Sequence, residues 1–89
     1  MNFSVVVEVS LRPGIADPEG ATIERALPAL GFVGVNNVRA GKAFRLTIDA
    51  ANERDALARA RGLADRLLSN PVIEQSTVRV DPSEPLSDT

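Results

Sequence analysis

ALPALGFVGVNNVRAGKAFRLTI, residues 26–48, decides the fold. Its last part is the plainest: Phe44, Leu46 and Ile48 alternate with Arg45, Thr47 and Asp49. That period of two is the mark of a half-buried strand. Its first part closes a helix. Ala26, Leu27 and Leu30 continue an apolar stripe begun at Ile23, with i, i+3, i+4, i+7 spacing. Pro28 lies inside that stripe, where it removes a backbone donor and crowds the carbonyl of Glu24, so a kink or an early end is predicted there. Gly31 is the residue type that caps such an end in the left-handed conformation. Between helix and strand, Val33, Val35 and Val38 predict another strand, interrupted at Asn36-Asn37. Ala40-Gly41-Lys42 then reads as the turn of a hairpin.

Working outward, Phe3, Val5, Val7, Val9 and Leu11 share one parity, opposite Asn2, Ser4, Glu8 and Ser10, with Val6 as the apolar exception. This is a first strand, ended by Arg12-Pro13-Gly14. Asp17-Pro18-Glu19 starts the first helix: an acceptor for free N–H groups, a proline at the first helical position and an acid at the positive end of the dipole. Downstream, Asn52 and Asp55 form a capping pair. Leu57, Ala60, Ala64, Leu67 and Leu68 predict the buried stripe of a second helix, stopped by Asn70-Pro71. Val72 and Ile73 lead into a final strand through Val80.

The element order is therefore β-α-β-β-α-β. It implies one α+β domain over residues 1–80, with a mainly antiparallel sheet and both helices on one face. A second subunit is expected to continue the sheet or to cover its other face, towards which Val6 points. Residues 81–89, with Pro82 and Pro85, read as a disordered tail.

Composition narrows the function classes. Aromatic residues make up 3% of the 89 residues, so the core must be aliphatic and thin, which favours self-association. The net charge of -2 argues against nucleic acid or an anionic membrane as partner. No apolar run is long enough to span a bilayer, and the first residues read as a strand; with no cysteine either, the cytoplasm is the expected location. With no histidine or cysteine, a catalytic triad, a thiol nucleophile and a zinc site are excluded. No phosphate-cradling glycine motif occurs. The carboxylates are spread over separate elements, each with an account as a cap or a solvated position. RNA modules of the same element order stack bases on a platform of sheet aromatics, and strands reading FSVVVEV and AFRLTI do not supply one.

What remains is a basic trio, Arg39, Lys42 and Arg45, set around the expected hairpin beside Gly41. Its charges could converge on an anion or a partner's carboxylate, or serve to keep a sheet edge soluble. Two glycines stand within the predicted helices, where each costs roughly 1 kcal/mol against alanine. Gly20 suggests a close packing contact; Gly62 has no evident reason.

Taken together, Leu11-Arg12-Pro13-Gly14, Asp17-Pro18-Glu19-Gly20, Leu30-Gly31-Phe32, Gly34-Val35, Val38-Arg39, Gly41-Lys42 and Asn70-Pro71-Val72-Ile73-Glu74 resemble the PurS family. These are small subunits of phosphoribosylformylglycinamidine synthase. Pro28 and the arginine-rich second helix depart from that pattern. The resemblance implies a non-catalytic assembly subunit of purine biosynthesis, without a cofactor or metal of its own. In the complex, ATP and magnesium are used by a large synthetase subunit, and a glutaminase subunit supplies ammonia for converting formylglycinamide ribonucleotide to the amidine. The small subunit, a homodimer or homotetramer, bridges the two and aids ammonia transfer. Arg39, Gly41, Lys42 and Arg45 are the expected docking residues; Gly14, Asp17, Pro18, Gly20, Gly31, Gly34, Asn70 and Pro71 are motif positions. The competing expectation is a small ferredoxin-like regulatory module that binds an amino acid or nucleotide between subunits.

Overall fold

The computed structural model of the protein describes residues 1–81; of the tail expected over 81–89, residues 82–89 lie outside the described residues, while Asp81 is held to the sheet by its N–H on Ser4 O at 2.9 Å. The chain forms β1 (Asn2–Leu11), α1 (Pro18–Ala26), a 3-10 turn (Pro28–Leu30), β2 (Gly41–Asp49), α2 (Glu53–Leu63) and β3 (Glu74–Val80). The sheet has the order β2-β1-β3, with both pairings antiparallel. β1 is thus the central strand, and its alternation dictates the core. Val5, Val7 and Val9 face α2 and pack with Ala60 and Ala64. In register beside them, Phe44, Leu46, Ile48, Val78 and Val80 complete the layer.

α2 begins where the sequence places it. Asn52 Oδ1 accepts the N–H of Asp55 at 2.8 Å, and the Asp55 carboxylate accepts that of Ala51 at 3.3 Å. Its buried stripe is Ala56, Ala60 and Ala64, residues small enough to bring the helix close to the valines of β1. The helix then widens into a π-helical turn over Ala64–Leu68, with the Ser69 N–H bonded to Ala64 O at 2.9 Å. The extra residue in this turn changes the helical phase. Leu68 reaches the core, while Leu67, expected inside, is 73% exposed.

The α+β class with one antiparallel sheet and two helices holds, and two local expectations are corrected. Residues 33–38 form no strand: Gly34 and Asn37 adopt φ of +78° and +60°, which breaks an extended run, and neither sheet edge of this chain takes up the segment. Gly41 and Lys42 accordingly open β2 and are not the turn of a hairpin. The two helices are also not equivalent. α2 lies across all three strands, whereas α1 buries only Gly20.

Pro28 acts as its chemistry predicts. α1 ends at Ala26, and the chain tightens into the 3-10 turn. Gly31, at φ +90°, then closes it, with Gly31 N–H bonded to Pro28 O and Phe32 N–H to Leu27 O, both at 3.0 Å.

The second face of the sheet is polar. Val6 is only 2% exposed there without help from another chain. Its register neighbours are Arg45 and Arg79, whose aliphatic stems flank it while their heads pair with Asp81 and Glu8 at 2.9 and 3.1 Å. Covering Val6 therefore needs no second subunit.

Candidate assembly surface

The motif residues of the first half of the chain converge on one point, the start of α1. Asp17 caps the helix: its Oδ1 accepts the N–H of Gly20 at 3.0 Å. Its other oxygen accepts the N–H of Ala40 at 2.8 Å, from the residue just before β2. Two turns further on, Glu24 Oε1 accepts the N–H of Val38 at 3.0 Å. The N-cap Asp17 and Glu24 of α1 therefore clasp the returning backbone at 38–40.

Gly20 explains itself here. A Cβ at this position would lie 2.5 Å from both Val38 O and Asp17 Oδ2, so only glycine lets the strap pass so close. The N–H groups of Gly20 and Ala40, with Arg39 nearby, hold the Asp17 carboxyl below its ordinary value of 3.8, against an opposing push from burial.

Between Gly31 and the clasp, the chain is exposed and apolar. Phe32, Val33 and Val35 are 57, 82 and 49% exposed, following Ile23 at 44% and Leu30 at 68%. Five large apolar residues in one consecutive stretch stay outside a core whose fully buried members are valines and alanines. Polar sequence signals gave the clasp its Asp17 end. Glu24 escaped notice because it looks like any solvated helix acid, and exposed valines look like strand residues.

The basic trio does not converge. Arg39 donates to the carbonyls of Leu11, Arg12 and Ile15 at 3.5 Å, tying the strap to the end of β1. Lys42 sits over the ring of Phe44, 5.7 Å from its centroid, on the helix side of the sheet. Arg45 lies on the polar face, paired with Asp81. Loss of the expected hairpin is the physical reason: on a continuous strand, neighbours of opposite parity point to opposite faces. Gly41 belongs to the sheet itself, since a Cβ there would lie 2.8 Å from Val9 O.

The remaining motif positions are structural. Pro18 is the first residue of α1, and Gly14 and Gly34 have positive φ. Asn70 and Pro71 make the turn out of α2: Asn70 Oδ1 accepts the N–H of Val72 at 3.1 Å, and Pro71 O accepts from Arg12 Nε at 3.0 Å.

An open depression of about 490 Å³ marks one end of the polar face, lined by Glu8, Ser10, Gly41, Ala43, Gln75 and Thr77 among others. Its single carboxylate, Glu8, is already paired with Arg79. Among the described residues no group of three or more acidic side chains is placed to hold a metal ion, and no helix is long and apolar enough to cross a membrane.

A small α+β domain with a thin core, a fixed strap and an unburied apolar stretch has the character of a component held by other chains. The family model of PurS, described as phosphoribosylformylglycinamidine (FGAM) synthase, matches residues 4–82, and the chain belongs to that family. It is 45% identical over 73 residues to the PurS subunit of that synthase from Mycobacterium leprae, covering 82% of this chain and 89% of the relative. Among solved structures, it is similar to the Thermotoga maritima purS subunit, with a TM-score of 0.84 at 33% identity, over 91% of this chain and 93% of that one. A chain in the structure of PurLQS from the same organism matches with a TM-score of 0.83 at 33% identity, covering 91% and 99%.

Proposed function

We propose that this protein is a non-catalytic assembly subunit of a phosphoribosylformylglycinamidine synthase complex, bridging a glutaminase subunit and a large synthetase subunit. The observation that carries the reading is the match, over nearly the whole described chain, to a component of the PurLQS structure. The residue inventory supports it. A chain without histidine or cysteine, in which the open depression beside β1 holds a carboxylate already paired with Arg79, is suited to contributing shape.

In this reading, ATP and magnesium belong to the large subunit, ammonia released by the glutaminase is kept on course between the partners, and the complex works in the cytoplasm. The small subunit acts as a homo-oligomer, a dimer or a tetramer, with the apolar stretch from Ile23 to Val35 buried between copies. Arg39 and Gly41 serve docking indirectly, by fixing the strap and the β1–β2 contact, while Lys42 and Arg45 offer charge on opposite faces of the sheet.

The test is reconstitution. The purified chain is mixed with the synthetase and glutaminase of the same cell, and co-elution and glutamine-dependent turnover are followed with and without it. Co-elution of all three, with turnover dependent on the small chain, is expected. Full turnover and a stable binary complex in its absence would refute the role.

A further inference from the structure

The clasp and the apolar stretch are adjacent in sequence, and the geometry connects them. Residues 31–37 form no helix or strand, and among them Gly34 and Asn37 take left-handed conformations. A segment of this kind carries several large apolar side chains at little benefit to its own fold, and its path is fixed at both ends. At one end Gly31 closes the 3-10 turn. At the other, Glu24 holds Val38 and Asp17 holds Ala40.

We propose that the carboxylates of Asp17 and Glu24 are positioning groups for self-association: by clamping residues 38–40 to α1, they hold Phe32, Val33 and Val35, together with Ile23 and Leu30, in the one arrangement onto which a second copy of this chain packs. This rests on the self-association reading above and adds to it the residues that make the surface competent.

The area argues for a second copy as occupant. Weighted by their exposures, the five side chains present on the order of 500 Å² of apolar surface, near the top of the range for a soluble monomer. Two-fold pairing of the same stretch doubles this to about 1,000 Å², the size at which a specific interface holds. Among the described residues the fully buried side chains are valines and alanines, so this packing is short of the bulk that a partner copy supplies.

The chemistry of the clasp gives a discriminating series. Glu24 accepts one bond, so Glu24→Gln keeps an acceptor for Val38 N–H, while Glu24→Ala removes it. Asp17 accepts two bonds through two oxygens, so Asp17→Asn satisfies only one and turns an amide donor towards the other N–H.

Sedimentation of the full chain across a concentration series reads the dimer dissociation constant. It is expected to rise about tenfold for Glu24→Ala and Asp17→Asn, and to stay within about threefold of the parent for Glu24→Gln. Should Asp17→Asn fail to fold, the two Glu24 variants still decide. Equal dissociation constants for the parent and both Glu24 variants overturn the clasp's role while leaving self-association intact. A parent chain that stays monomeric overturns the self-association reading itself. A monomer whose segment 32–35 gains hydrogen-exchange protection only with the synthetase present assigns the surface to that partner, and likewise overturns the proposal.

Discussion

Gly20 and Gly62 both stand inside helices, yet alanine at the two positions should have opposite effects. At position 62 nothing lies within 4 Å of an added Cβ. Gly62→Ala should therefore realise the ordinary helix preference and stabilise the protein by about 0.5–1 kcal/mol. At position 20 the same gain is available, but the new methyl lies 2.5 Å from a backbone carbonyl and 2.5 Å from the capping carboxylate. Neither is the free end of a flexible chain. The strap at Val38 must move out and the Asp17 cap must turn away, an overpacking cost of about 1–3 kcal/mol. Set against the helix gain, Gly20→Ala should destabilise by about 1–2 kcal/mol. Urea unfolding at fixed protein concentration measures both. Native-state hydrogen exchange adds the location, with faster exchange expected at Val38 and Ala40 in Gly20→Ala alone. If Gly20→Ala stabilises as much as Gly62→Ala, and the Ala40 amide stays protected, the close passage of the strap is wrong.

Other outcomes follow from the core, the caps and the charges. Val7→Ala, at a position with no exposed surface in the central strand, should cost about 2–3 kcal/mol, read from the shift in urea midpoint at constant m-value. Asn52→Ala removes the cap of α2 and should cost about 1 kcal/mol in the same assay. Glu8→Gln breaks an ion pair whose members are each 53% exposed, so its effect should stay below about 1 kcal/mol and shrink with added salt. Asp17 has a folded pKa below its unfolded one. Its contribution is therefore present above the ordinary value of 3.8 and is lost as pH falls through the lower folded value. Acid unfolding of the parent should thus be steeper in that window than that of Asp17→Asn.

Regular periodicity made the three strands and two helices legible. The alternation of Phe44, Leu46 and Ile48, the odd-numbered residues of β1 and the caps at Asp17 and Asn52 are local signals, and local physics decides them. Three readings failed where distant parts of the chain intervene. Val33, Val35 and Val38 have strand composition, but they pair with neither edge strand, β2 or β3, and Asn37 turns the backbone. Leu67 has the right spacing for the core until the π-helical turn shifts the phase at Ala64. The basic trio depended on a hairpin that the failed strand took with it. Of the candidate surface, Asp17 and Gly20 were visible as motif residues, but their shared contact needed the position of Val38 and Ala40 in space.

The central place of β1 bears on how the protein is made. The ribosome delivers this valine-rich ribbon before both of its neighbours, β2 and β3, which come from later in the message. Until Val80 has emerged, one flank of the ribbon stays unzipped, so a nascent chain carries unpaired backbone for the whole interval between β1 and β3. Translation pauses before β3 has emerged should therefore be hazardous, and a ribosome-bound chaperone has an open strand flank to protect until then.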